Sequence, residues 1–534
     1  MSALWSAGWR ATLPQVFARE WDLVIIGGGI TGAGILLEAS RRGLKALLVE
    51  QRDFAWGTSS RSSKLVHGGL RYLKEGQIGL TRESVHERQN LLREAPGLVD
   101  PQSFAFGDYV GGKPGRRLFL LGLAIYDFLA GQRERHYFSN EEFLMMAPNI
   151  GRAGLVGGMR YTDAKTDDAR LVLRVLQEAH TFGGVAVNYM AASSLLREDG
   201  KLCGVELADG AAGASHQVRA RLVISATGAW ADKLRGQTGA APKLRPLRGS
   251  HLVLPAWRLP LSQAISLMHP RDGRPVFAYP WEGATLVGTT DVDHGADLNL
   301  EAHITRAELD YLMEALRAQF PQLDLVEQDV LATYAGVRPV IDSGQADPSK
   351  EGRDHAVWVD QGLLTVTGGK LTTFRVIALD ALKHAKPLLP DWHDNLAPVP
   401  VFGRSAPLKA GLRLGARQRA RLLGRHGGAA QHLLDATPAA ELHAIPGTET
   451  LWAELRWAAR CEAVLHLEDL LLRRTRLGLL LARGGAEHLA RIRAICQDEL
   501  GWEDQRWESE VTRYQALWDA NYSLPAKCAS STVA

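Results

Sequence analysis

Residues 22–50 read DLVIIGGGITGAGILLEASRRGLKALLVE, and this stretch sets the architecture of the chain. Its opening apolar run, stopped by glycines, reads as a strand buried on both faces in a parallel sheet. The segment TGAGILLEASRRGL spaces its apolar positions as a helix does, and Gly43 suits the helix end. KALLVE then forms a second strand ending at Glu50, so a βαβ unit begins about twenty residues from the first residue. Gly27, Gly29 and Gly32 form GxGxxG. The first permits a tight turn, the second admits a pyrophosphate against the backbone, and the third packs helix on strand. The N–H groups and positive dipole at the helix start favour phosphate. Glu50 stands eighteen residues past Gly32, where a carboxylate accepts from both ribose hydroxyls. Strand, glycine turn, helix and acid occur in the order that a dinucleotide site requires.

Working outward, 534 residues at 46% hydrophobic content exceed a single core and imply two or three domains. The net charge of +3 gives no reason to expect a nucleic-acid partner. Cys203, Cys461, Cys496 and Cys528 are scattered, with no CxxC and no metal-ligand spacing, which fits a reducing cytoplasm and no bound metal. The first residues lack a basic region followed by an apolar run, so no secretory signal is read there. No apolar stretch reaches the roughly 18 residues that span a bilayer; LFLLGLAIYDFLAG, from Leu118, is broken by Asp127. Helices are expected over 80–95, 169–182 and 305–319, short antiparallel strands over 244–300, and a Pro-rich linker over 387–407. The fold class is therefore α/β: a Rossmann-like dinucleotide domain from 20–90, 150–240 and 335–385, an antiparallel-sheet substrate domain from 91–149 and 241–334, and a helical C-terminal domain over 408–534, with 386–407 between.

Two later segments choose between dinucleotides. SATGAW (225–230) and TGGKLTTF (367–374) both run an apolar strand into a glycine turn, and the second turn opens a helix. A flavin ring lies far from its adenosine end, so cradling FAD takes more than one turn. Gly228 serves the first turn. Gly368 and Gly369, followed by Leu371 and Thr372, bring backbone N–H groups toward the pyrimidine edge, where a reduced flavin is anionic. FAD is the expected cofactor.

The stretch GGGITGAGILLEASRRGLKALLVEQRDFAWGTSSRSSKLVHGGLRYL resembles the N-terminus of the FAD-dependent glycerol-3-phosphate dehydrogenase family. YTDAKTDDARLVL, ATGAW, RGSHLVLP, VGTTD, YAGVRPV, GGKLTTFRV and EDLLLRRTRLGLL continue the resemblance in order. The resemblance implies oxidation of sn-glycerol 3-phosphate to dihydroxyacetone phosphate, with electrons passed from FAD to membrane quinone. The related oxidases use oxygen and carry an extra insertion, which is not evident between GTTD and YAGVRP. By similarity Arg71, Arg338 and Lys370 contact substrate, with Arg353 as a further cation and Tyr72 positioning the substrate hydroxyls. Arginine binds phosphate bidentately and lysine acts as a point charge. His67 is the candidate base for the alcohol proton; the competing reading is a histidine held structurally beneath the flavin. Arg338 is the candidate for holding the developing alkoxide, and Lys370 tunes the flavin, binds substrate, or does both. Ser59, Ser60 and Ser63 bond FAD or cap turns, Gly68 and Gly69 let backbone approach the ring, and Thr290 and Asp291 shape the pocket or cap locally. Quinone is lipid-soluble, so a peripheral location on the inner face of the cytoplasmic membrane follows from the resemblance, with a homodimer left open. Two basic-apolar stretches, 113–131 and 408–427, are the docking candidates.

Overall fold

The computed structural model describes residues 5–70, 73, 76–112, 115–347, 351–352, 354–409 and 414–526. Two sheets organise it. The first runs His355–Asp360, Leu363–Gly368, Ser215–Ser225, Trp21–Ile26, Ala46–Val49, Val185–Val187, with a Met190–Glu198 and Lys201–Asp209 ribbon attached through the Ser215–Ser225 strand. The strand Trp21–Ile26 pairs in parallel with Ala46–Val49 on one side and with Ser215–Ser225 on the other, which in turn pairs in parallel with Leu363–Gly368. Leu23, Val24 and Ile25 are fully buried, as strands covered on both faces must be. The helix Ile30–Ser40 is apolar almost all round because it lies between Asp168–Thr181 and Phe374–Ala385. Gly34 permits the closer of these approaches: a Cβ there would stand 2.9 Å from the Phe374 ring.

The second sheet has ten strands, mostly antiparallel, with the central order Val292–Asp293, Leu244–Pro255, Ala284–Gly288, Pro275–Trp281, Ala264–Met268, Val99–Tyr109, Leu155–Thr166, Leu65–Val66. Ala332–Ile341 pairs along Leu244–Pro255, and His136–Ser139 along Leu155–Thr166. Sheet membership corrects the division expected from sequence. Leu65–Val66, Leu155–Thr166 and Ala332–Ile341 lie wholly or partly in segments assigned to the dinucleotide domain, yet all three belong to the second sheet. Among the described strands the chain thus passes between sheets in the segments 50–64, 167–184, 226–243 and 342–354, and these crossings bring residues from both sheets to one place.

Beyond residue 415 the described residues form helices. Their anchor is Asp469–Arg474, a π-helical turn whose arginines reach into the rest of the molecule. Arg474 donates to Asp53 at 2.6 and 2.7 Å, and Arg473 bonds both Asp53 and Asp469. Arg476 pairs with Asp167 at 3.1 Å and also bonds Asp168. Arg170 grips Glu462 through two bonds of 2.7 and 2.6 Å. The N-terminal segment, without a reading from sequence, packs on this junction: Trp5 lies against Phe54 with ring centroids 5.1 Å apart and donates to the Ala186 carbonyl at 3.0 Å.

Candidate active site

The Gly27–Gly29 turn lies where the first strand enters its helix, with Gly29 as the N-cap. A Cβ on Gly27 would stand 2.5 Å from the Ala226 carbonyl oxygen, and one on Gly32 would fall 1.9 Å from the Gly27 carbonyl oxygen. Gly27 also has φ +114°, so neither glycine admits a side chain. A cleft of about 390 Å³ opens over this turn. Its walls come from three strand-to-turn units, containing Gly27 and Gly29, Ala226–Gly228 and Gly368–Lys370, together with the loops around Glu50 and Trp56–Ser59.

The Glu50 carboxylate accepts from the N–H groups of Gly28 (2.7 Å) and Arg52 (2.9 Å), one on each oxygen. Burial pushes its pKa up, against these two bonds. A carboxylate oxygen has more than one acceptor site, so each keeps capacity for a ligand's hydroxyl. The indole N–H of Trp230, in the cleft wall, is shielded from solvent and has no partner among the described residues. A long shared cleft, a side-chain-free phosphate turn, an acid with spare acceptor capacity and an unmatched donor fit the residues to FAD.

Several cofactor expectations are placed differently. Gly228, Gly368, Gly369 and Leu371 line the cleft, as does Ser59, whose hydroxyl accepts from the Ile30 N–H at 2.9 Å. Ser60 and Ser63 do not line it. The Ser60 carbonyl accepts from Lys64 Nζ (2.8 Å) and Arg476 (3.0 Å), and the Ser63 hydroxyl meets His251 Nε2 at 2.9 Å. Ser62 lines the cleft instead. Thr372 turns away from the cleft and donates to the His67 carbonyl at 3.2 Å, tying the second glycine turn to the histidine segment.

Of the expected substrate contacts, Arg71, Tyr72 and Arg353 lie outside the described residues. Lys370 lines the cleft and donates to Ser84 Oγ at 3.2 Å. Arg338 sits on the second sheet opposite Leu247, and the next residue, Pro339, lines the cleft. Its guanidinium donates to Asp291 Oδ1 at 2.7 Å and Thr289 Oγ1 at 3.2 Å. It lies against Gly249, where a Cβ would come within 2.3 Å of Nη2. Thr290 bonds the Ser250 N–H at 2.9 Å and Glu308 at 2.7 Å, so Thr290 and Asp291 fix the strand ends that carry Arg338.

His67 follows Leu65–Val66, and its side chain is 37% exposed, near Phe104 and Phe277. Its Nδ1 meets Asp163 Oδ2 at 3.2 Å. Gly68 has a constraint that its sequence context does not reveal. A Cβ there would stand 2.0 Å from Tyr126 Oη and 2.9 Å from Arg88 Nη1, so the glycine makes room for the group around Asp163. Sequence reasoning missed Asp163 and His251, although both stand in quoted motifs. His251 is buried, stacked on Tyr334 at 4.6 Å, and held neutral by burial and then by Arg338 and Lys64. Their partners lie far off in sequence, which no local pattern reveals.

The family model described as FAD dependent oxidoreductase matches residues 22–375, and that of the C-terminal domain of alpha-glycerophosphate oxidase matches 403–507. The chain is 40% identical over 368 residues to an aerobic glycerol-3-phosphate dehydrogenase of Staphylococcus epidermidis, covering 68% of this chain and 66% of that protein. It is 41% identical over 372 residues to the protein of the same name from Bacillus subtilis, covering 68% and 67%. The match thus spans about two thirds of the length of these relatives. The solved structure of a glycerol-3-phosphate dehydrogenase from Bacillus halodurans complexed with FAD superposes with TM-score 0.77 at 28% identity, covering 97% of this chain and 98% of that one.

Proposed function

The chain belongs to the FAD dependent oxidoreductase family, and on that premise we propose that it oxidises sn-glycerol 3-phosphate to dihydroxyacetone phosphate, with membrane quinone as the final electron acceptor. FAD, when bound, supplies the hydride acceptor. The rest is done by the chain's own residues. Lys370 and Arg338, with Arg71 and Arg353 by resemblance, attract and orient the phosphate and the reacting oxygen. His67 takes the proton of the secondary hydroxyl on Nε2 as the C–H bond gives up its electron pair and the carbonyl forms. The observation that carries this reading is the junction at the Lys370 end of the cleft. There the glycine turn that supplies Lys370 is bonded through Thr372 to the segment that supplies a carboxylate-paired histidine. The identity to aerobic glycerol-3-phosphate dehydrogenases supports the choice of substrate.

Among the described residues no helix is long and apolar enough to cross a membrane. Contact with the bilayer is assigned to the helix Arg116–Ala130. Its inward residues Leu123, Tyr126 and Asp127 are buried, while Leu118 (65%), Leu121 and Phe128 (83%) point outward and are exposed. Arg116 and Arg117, also exposed, stand at its start. An apolar outer face beside cations suits an anionic lipid surface. The stretch 408–427 offers fewer cations to lipid than its sequence suggests, because Arg421 and Arg425 are buried against Glu454 and Asp167, and the exposed Lys409 and Arg417 pair with Asp435 and Glu449.

The acceptor is tested by reducing the FAD-loaded protein with sn-glycerol 3-phosphate and reoxidising it with a quinone analogue or with oxygen. Fast reoxidation by quinone and slow reoxidation in air support the reading. Fast reoxidation in air with stoichiometric peroxide makes the protein an oxidase instead.

A further inference from the structure

We propose that Asp163, clamped by Arg88 and Tyr126, is a positioning residue that fixes the His67 imidazole as its Nδ1–H tautomer and so aims a free Nε2 lone pair at the substrate hydroxyl. This rests on the reading of His67 as the proton acceptor. Asp163 is 1% exposed and both its oxygens are engaged. Oδ1 accepts from the Gly68 N–H at 2.8 Å, from Tyr126 Oη at 2.9 Å and from Arg88 Nη1 at 2.6 Å. Oδ2 faces His67 Nδ1 at 3.2 Å.

Burial alone pushes the Asp163 carboxyl up, but Arg88 and then His67 outweigh it and hold the group at about 2. An ionised carboxylate only accepts hydrogen bonds, so the ring nitrogen facing it carries the proton. The other nitrogen is then unprotonated in neutral His67, on a ring that retains solvent access. When Nε2 takes a proton, the positive charge develops beside a carboxylate that is already ionised and cannot turn away, which favours the transfer.

Three observations separate this from an incidental ion pair. Arg88 is 3% exposed and also donates to Tyr126 Oη at 2.7 Å, so charge, phenol and carboxylate form one closed group. The phenol cannot ionise and add a competing negative charge, because burial and then Asp163 push its pKa well above its ordinary value. Gly68 leaves no room for a side chain in this group, so the residue after the histidine belongs to the same arrangement. Asp163, His67, Arg88 and Tyr126 come from four separate segments of the chain, and only the fold joins them.

The test separates the clamp from the chemistry. Nitrogen-15 NMR of histidine-labelled FAD-loaded protein, with H67Q to assign the signal, reads the tautomer directly. The wild-type protein is expected to show His67 protonated on Nδ1. D163N is expected to lose that preference and to slow flavin reduction by roughly 100-fold. Should D163N alone fail to fold, D163N/R88M removes the buried charge pair together and gives the same readout. A wild-type Nε2–H tautomer, or an unchanged His67 tautomer in a folded Asp163 variant, overturns the proposal. An H67Q protein that is reduced as fast as wild type instead overturns the reading of His67 as base, even if the NMR result stands.

Discussion

Gly249 shows how a single atom position governs Arg338, the cation proposed to meet substrate. A Cβ at this residue would come within 2.3 Å of Arg338 Nη2 and 2.7 Å of Cζ and of Thr289 Oγ1. Gly249→Ala is therefore expected to push the guanidinium off its anchor on Asp291. Steady-state kinetics should show KM for sn-glycerol 3-phosphate raised about 10-fold or more, as for a lost charge-assisted bond, while FAD content stays unchanged. The same residue marks where sequence reading stopped. The GxGxxG glycines were legible because their partners lie within a few residues and recur in a fixed order. Gly249 and Gly68 are governed by Arg338 on a neighbouring strand and by Tyr126 fifty-eight residues away, and neither constraint leaves a local pattern. Ser62, rather than Ser60 or Ser63, lines the cleft for a similar reason: a run of hydroxyls gives the residue types but not which way each one points.

At the scale of elements, the turn Asp469–Arg474 ties the C-terminal helices to the loop after the second strand of the dinucleotide sheet. Asp53 is fully buried, and although burial pushes its carboxyl up, Arg474 and Arg473 bring it down to about 2. Breaking one partner of such a pair strands the other charge, which costs about 3–5 kcal/mol. Arg474→Met should lower thermal stability accordingly in a melting experiment, and R474M/D53N should recover part of the loss. The pH dependence follows with a definite sign. Asp53 and Asp163 both have folded pKa values depressed from about 3.8 to about 2. Their stabilising contribution is complete above pH ~4 and is lost as pH falls toward 2, at about 2 kcal/mol each. Acid titration followed by circular dichroism should therefore place unfolding in that window, and an Asp53→Asn variant should show a shallower loss across it. The helical C-terminal segment was legible from its Leu, Ala and Arg content. Its anchoring was not, since the acids it meets lie some 300 to 420 residues earlier.

At the scale of the whole molecule, the parallel sheet supplies the cleft and Lys370, and the antiparallel sheet supplies Arg338 and leads into His67. The chain crosses between them often enough to close one site. The helix Arg116–Ala130 connects that site to the outer surface, with Tyr126 bonded to Asp163 on its inner face and Leu118, Leu121 and Phe128 exposed on its outer one. Replacing Leu121 and Phe128 together by Asp should abolish sedimentation with anionic vesicles and leave reduction by soluble substrate intact. Unchanged vesicle binding would move the docking surface elsewhere.

Whether this cleft takes hydride equivalents from a phosphorylated secondary alcohol, as proposed, is read out by anaerobic stopped-flow absorbance. FAD-loaded protein mixed with sn-glycerol 3-phosphate should lose its oxidised-flavin absorbance, whereas glycerol at the same concentration should leave it essentially unchanged. Failure of sn-glycerol 3-phosphate to bleach protein that demonstrably holds FAD, or equal bleaching by glycerol, would contradict the roles given to Lys370 and Arg338 and with them the proposed reaction.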